Sequence, residues 1–333
     1  MGHFNPQVKK ILFVGNGINR VNTPYSWENL LQDLIARLNL GNQIRIQSPF
    51  QKPLTLFFEE IKLLYRDNIN AQLEKEKTKK ALDEIHKTLS TLIQEKYKTP
   101  CQIHRNIVTW AAVHQRPILT TNYDYTLEIA CGNKHRDNSP FQERRYSVFR
   151  RRLCEGNQGS VEIWHLHGEV SHPRTLMLGH EHYAGYIQKL RNYLTVGVEH
   201  KHREERQKKL YLSPLKENPG VPPGEQKQGK QRQDPIYSWV DLFLFHEVHM
   251  MGFSLDFSEI HLWWLIVNKM WKRKEYPWGN LVYHYVYPRN KRNNTEIPER
   301  DQAKISILKS YGAIVKVHKE SYEQAYQQIL EEL

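Results

Sequence analysis

Short apolar runs recur along this chain, and between them lie longer stretches whose apolar residues return at helical spacing. That alternation limits the available folds more than any other feature. Residues 10-KILFVGNG-17 read as a buried strand entering a glycine turn, and 26-SWENLLQDLIARLNL-40 follows as a helix that Ser26 can cap. A second helix, 101-CQIHRNIVTWAAVHQ-115, feeds a short strand in 117-PILTTNYD-124, which is the αβ half of a right-handed crossover. More strands are expected at 161–167, within 236–254, at 281-LVYHYVYP-288 and at 312-GAIVKVH-318, the last followed by a terminal helix. The expected fold is α/β: a single domain, 1–333, on a doubly wound, mostly parallel, Rossmann-like sheet.

Two stretches interrupt the alternation. Residues 54–97 carry a long, charged, helical pattern and read as a helical insertion or cap. Residues 199–234 are rich in Lys, Gln, Pro and Gly with little to bury, and read as a flexible basic and polar insertion. Nothing approaches the roughly 20 apolar residues that span a bilayer. The longest runs, 239-WVDLFLF-245 and 261-HLWWLIV-267, are short or broken by charge and read as buried helix or strand. The leading 7-QVKKILFVGNGINR-20 places basic residues before an apolar run, but the run is too short for a secretion signal and no small-residue cleavage site follows. Cys101, Cys131 and Cys154 are widely spaced and odd in number, which suits neither a disulfide framework nor a zinc ribbon. A cytoplasmic location is expected. The formal net charge of +12 raises the question of nucleic acid. Part of the excess sits in 144-RRYSVFRRR-152, which could meet phosphate on DNA, RNA or a nucleotide. Elsewhere bases are mixed with acids, so charge argues only for sequence-independent attraction.

Several polar groups sit at expected strand ends, where doubly wound sheets bind ligands. Gly15 and Gly17 allow a tight turn and close approach to a pyrophosphate, with the next helix's N-terminus facing the anion; a plain strand–turn–helix would use them too. The usual third glycine is replaced by Arg20. In 120-TTNYDYTLE-128, Asn122 and Asp124 share a face if the segment is extended, or else build the turn and cap the following helix. His167 ends the strand in 161-VEIWHLHGEV-170, where Gly168 leaves space beside it and His165 faces the other way, so the two are poor partners for one metal. No metal site is expected. Gly252 and Ser254 could bring backbone and hydroxyl donors to a phosphate or ribose, with Ser258 capping the next helix.

These stretches, in this order, resemble the sirtuin-like superfamily, particularly its prokaryotic antiphage-defence branch. The likeness is carried by the Gly-x-Gly turn with 26-SW-27, and by 121-TNYD-124, 166-LHGEV-170, 175-TLMLGHEHYAGY-186 and 252-GFSLDFSEI-260. The resemblance implies that Asn122, Asp124 and His167 line a nicotinamide-ribose pocket, with His167 catalytic. It implies too that Gly15, Asn16, Gly17, Asn19, Thr121, Gly252 and Ser254 hold the rest of NAD. The chain departs from classical sirtuins at Asn16 and Asn19, where Ala and Ser are usual, and its three cysteines cannot build their four-cysteine zinc module. Relatives without that module are typically NAD hydrolases that deplete the cofactor during phage infection. Several of them work with a partner, such as a hexameric DNA-translocase-like ATPase or an Argonaute. The resemblance therefore implies an NAD+ glycohydrolase that takes NAD as substrate and assembles as a homo-oligomer. The alternatives are an NAD-dependent protein deacylase and a non-catalytic NAD or ADP-ribose-binding module.

In such a reaction nicotinamide leaves neutral from a cationic pyridinium while positive charge develops on the ribose. A pocket that excludes bulk water and places one water near the anomeric carbon suffices. Asn122 would orient that water or the nicotinamide amide, Asp124 would hold the amide or face the cation, and His167 would accept a proton.

Overall fold

The strand expected at residues 10–14 shows why helices are needed on both sides of the sheet. Ile11 and Phe13 point into one core, with Trp164, Phe243 and Met250, while Leu12 and Val14 point into another, with Ile107, Ile163 and Ile329. Successive side chains of a strand leave opposite faces, so a run that is apolar throughout must be covered twice. Each such fully buried side chain contributes roughly 1.5–3 kcal/mol.

The structure, a computed structural model, describes residues 8–44, 52–69, 73–132, 134–141, 145–201, 207–223, 225, 236–288 and 296–333. In chain order, β1 (Lys10–Val14) is followed by α1 (Trp27–Arg37), α2 (Leu54–Asn68), α3 (Glu74–Lys96) and α4 (Gln102–Val113). Next come β2 (Ile118–Thr120), α5 (Thr126–Cys131), β3 (Lys134–Asp137), β4 (Arg151–Gly156), β5 (Gly159–His165) and α6 (His180–Thr195). The remainder is β6 (Val198–Lys201), β7 (Lys208–Tyr211), α7 (Trp239–Phe245), β8 (Glu247–Met251), α8 (Ile260–Lys272), β9 (Leu281–Val286), α9 (Glu299–Ser310), β10 (Ile314–His318) and α10 (Tyr322–Glu331).

The main sheet is 8-stranded, in the order β10-β9-β8-β1-β2-β5-β4-β3. From β10 to β5 every pairing is parallel, and β4 and β3 extend that edge antiparallel. This is the Rossmann-like, mostly parallel sheet that the alternation implied. From β1 the chain builds outward through β2 and β5, then returns to β1's other side with β8, β9 and β10. The reversal opens a crevice at the carboxyl ends of β1, β2 and β8. Helices α2 and α3 pack with α1 around a separate apolar cluster that includes Leu34, Phe58, Ile61 and Leu89.

Some expectations change. The basic run 144–152 was open to phosphate, yet Arg151 and Arg152 are β4 residues: Arg152 is held by Glu169 at 2.7 Å, and Arg151 lies over the Trp164 ring. Residues 199–234 were expected to be a flexible loop, yet Val198–Lys201 and Lys208–Tyr211 form an antiparallel ribbon. Phe141 clamps that ribbon, stacking on His200 and packing at a tilt against Tyr211 with ring centres 4.9 and 4.5 Å away, a contact that local composition does not reveal. Residues 202–206, 224 and 226–234 of that stretch lie outside the described residues. Among the described residues no helix is long and apolar enough to cross a membrane.

Candidate functional site

A cleft of about 360 Å3 opens over the crevice, within the range of small-molecule sites. Asn16, Gly17, Thr121, Asn122, Asp124, Gly252 and Ser254, all expected at a site, line it. Gly15, Asn19 and His167 do not line it.

The floor is set by the glycine turn. Gly15 N–H donates to the Met251 carbonyl at 2.9 Å, and Gly17 N–H donates to the Gly252 carbonyl at 2.7 Å. A Cβ on Gly17 would sit 2.7 Å from the Gly252 Cα and carbonyl oxygen. The glycines thus let two loops touch. Their N–H groups are used in that contact, and the turn enters a 3-10 helix, Asn16–Val21, rather than an α-helix. The expected α-helical N-terminus facing a pyrophosphate is therefore absent here. Arg20, in place of the third glycine, lines the cleft and donates to the Tyr322 hydroxyl at 3.2 Å.

Beneath the turn lies a polar network. Asn19 donates to Asn16 Oδ1 at 2.8 Å and to Asp124 Oδ2 at 3.3 Å, while its own Oδ1 meets His104 Nε2 at 2.8 Å. Cys101 N–H donates to His104 Nδ1, so Nε2 carries the proton that Asn19 receives. Burial depresses His104 to about 4, which keeps it neutral in that role. Asn16 in turn donates to the Tyr97 hydroxyl at 3.1 Å. His104 and Tyr97 come from α4 and from the C-cap of α3, and only long-range folding unites them with residues 16–19.

The TNYD segment answers its own ambiguity. Asp124 Oδ1 accepts from the Thr126 amide at 3.0 Å and from its hydroxyl, so the carboxylate builds the turn before α5 while also lining the cleft. Asn122 differs. Its N–H donates to Thr120 Oγ1 at 3.0 Å and its carbonyl accepts from His165 Nδ1 at 3.0 Å. Both polar atoms of its side-chain amide are buried without a hydrogen-bond partner. An unpaired buried amide costs on the order of 1–3 kcal/mol per group, a cost that a ligand in the cleft can remove.

His165 turns to α5, where Nε2 meets Glu128 Oε1 at 2.6 Å. Burial opposes its protonated form, but Glu128, Glu169 and the Asn122 carbonyl outweigh it, and His165 sits above its ordinary value. His167 points elsewhere. Its Nε2 lies 2.7 Å from Nε2 of His261 at the start of α8, and its ring packs on Tyr183. Burial drives it down to about 3. Gly168, expected to leave space, instead has a φ of +97°, and a Cβ there would meet the Thr175 carbonyl oxygen at 2.3 Å. Ser258, expected to cap α8, donates its N–H to Asp256 Oδ1, and the N-cap is Glu259.

Sequence reasoning missed Glu259, although it lies inside the quoted 252–260 stretch. It lines the cleft, and burial together with Asp256 pushes it up to about 7. Lys304 of α9, also unforeseen, lines the same cleft and donates to the Ser254 carbonyl at 2.7 Å. Among the described residues no group of three or more His, Cys, Asp or Glu could hold a metal.

Residues 116–214 match the family model described as SIR2-like domain. The match covers Thr121, Asn122, Asp124 and His167, and leaves the glycine turn and the loop after β8 outside it. No curated protein matches the chain.

Proposed function

We propose that this member of the sirtuin-like superfamily binds NAD in the cleft and hydrolyses its nicotinamide–ribose bond, giving ADP-ribose and nicotinamide. SIR2-like domains use NAD, and the cleft offers what that ligand needs. The observation that carries the reading is the Asn122 amide, buried at the cleft with neither atom paired. Such a group suits a carboxamide, a ribose hydroxyl or a bound water, each of which can both donate and accept. Arg20 supplies positive charge for the pyrophosphate, and the cleft's Tyr285, Tyr287 and Tyr322 offer aromatic faces for adenine.

In this reading Asn122 orients the attacking water or the nicotinamide amide. Asp124, fixed by Thr126 and Asn19, faces the cation that develops on the ribose. His167, paired with His261 away from the cleft, takes no part in this reading. A role in antiphage defence, with NAD loss as the effector and a homo-oligomer or a partner ATPase or Argonaute as the context, remains part of the proposal. The deacylase alternative needs an acylated lysine, so the two are separated by product: ADP-ribose formed from NAD without any peptide supports the hydrolase.

Mass spectrometry of NAD incubated with wild type and with Asn122→Ala tests the reading. Wild type is expected to release equal amounts of ADP-ribose and nicotinamide. The variant should lose about 100-fold or more in kcat while unfolding at the wild-type temperature. Undiminished turnover in Asn122→Ala would remove the assignment.

A further inference from the structure

One carboxyl group in the cleft has no task in the reading above. Glu259 is placed by the chain that leaves β8, passes Gly252 and enters α8. Its Oε2 accepts the Asp256 amide at 3.2 Å, and the residue faces two spaces at once. One is the main cleft, shared with Asn122 and Asp124; the other is a side pocket of about 60 Å3 walled by Trp27, Phe58, Leu178 and Tyr183. His167 lines neither space, and its Nε2 is engaged by His261.

Resting on the NAD-hydrolase reading, we propose that Glu259 is the general base of this cleft and takes the proton from the water that attacks the anomeric carbon. The water oxygen bonds to that carbon as the carbon–nitrogen bond breaks, and the electron pair of the broken bond passes to the pyridinium nitrogen. The water proton moves to the Glu259 carboxylate and then to solvent. NAD+ and water thereby give ADP-ribose, neutral nicotinamide and one proton.

The surroundings suit that task. Burial and the Asp256 carboxylate raise Glu259 to about 7, opposed by the Asp256 amide and by Lys304. Two cations of α9 are committed to other acids: Lys304 pairs with Asp301 at 2.5 Å, and Arg300 pairs with Asp256 at 2.6 Å. The other ionisable groups facing Glu259 are the phenols of Tyr123, Tyr183 and Tyr283, all held neutral by burial. A base whose pKa matches the working pH combines a useful ionised fraction with a strong pull on the proton. His167, depressed to about 3, pulls far less.

The test compares wild type, Glu259→Gln, Glu259→Ala and His167→Ala with NAD across roughly pH 5 to 9, alongside calorimetry with ADP-ribose. Wild-type kcat should rise with pH through a midpoint near 7, where the carboxyl ionises. Glu259→Gln keeps the acceptor for the Asp256 amide, so folding and ADP-ribose affinity should stay at wild-type levels. Its kcat should fall about 100-fold or more and lose the pH-dependent limb. Added formate should restore part of the rate in Glu259→Ala. A Glu259→Gln enzyme with the wild-type rate and profile, or a limb that disappears only in His167→Ala, overturns the proposal while leaving hydrolysis intact. A wild type that releases no ADP-ribose overturns the hydrolase reading and this proposal together.

Discussion

Glu169 shows how one side chain can secure a wall of the site without lining it. Burial would push its carboxyl up, yet His165, Arg152 and Arg150 outweigh burial and hold it at about 2. Arg152 Nε donates to it at 2.7 Å, and the next residue, Val170, donates its N–H to the Tyr123 carbonyl beside Asn122. A carboxyl depressed on folding adds stability above its unfolded pKa of 4.5 and loses it as pH falls towards 2. That contribution is on the order of 3 kcal/mol. Stability followed by urea unfolding should therefore drop across that acid window. Glu169→Gln should be less stable near neutrality, because Arg152 is left buried without its partner, and should show a flatter acid limb. An acid limb unchanged in Glu169→Gln would show that other carboxyls govern it.

At the scale of elements, the site depends on how closely the turn after β1 meets the loop after β8. The two share backbone hydrogen bonds from Gly15 and Gly17, and Gly252 takes a φ of +74° to make room. Gly17→Ala forces a methyl to within 2.7 Å of backbone that cannot rotate away. The expected cost is about 1–3 kcal/mol, with weaker ADP-ribose binding because the cleft floor is displaced. Gly41, where a Cβ would meet nothing within 4 Å, supplies the control. Gly41→Ala should leave both quantities within about 0.5 kcal/mol of wild type. Equal unfolding curves for the two variants would mean that the turn relaxes without penalty.

For the whole molecule, the cleft is lined from every level of the fold: the β1 turn, α1, α3, the ends of β2, β8 and β9, and the starts of α9 and α10. A ligand that joins so many segments binds the folded chain and not the unfolded one. At about 100 times its Kd, ADP-ribose should stabilise the protein by roughly 2.7 kcal/mol, visible as a rise in Tm of several degrees. Asn122→Ala should shrink that rise. A wild-type Tm indifferent to millimolar ADP-ribose would argue that the cleft serves another ligand.

The sequence alone determined the kind of sheet, because apolar runs alternating with amphipathic helices have few ways to bury both faces of every strand. It also placed Asn122, Asp124, Gly17 and Gly252 at the cleft, since ligand crevices form at strand ends and these residues follow strands. It did not show β3 and β4, whose sequences KHRD and RRLCEG are rich in charge and read as polar because they lie at or next to the sheet's edge. Nor could it separate the two histidines and the acid. His167, two residues past its strand, meets His261 of α8, while Glu259, at the head of α8, lines the cleft. Which titratable group meets the ligand depends on where helices pack and what they bury. Contacts between residues as far apart as His167 and His261 exist only once the sheet has closed around them.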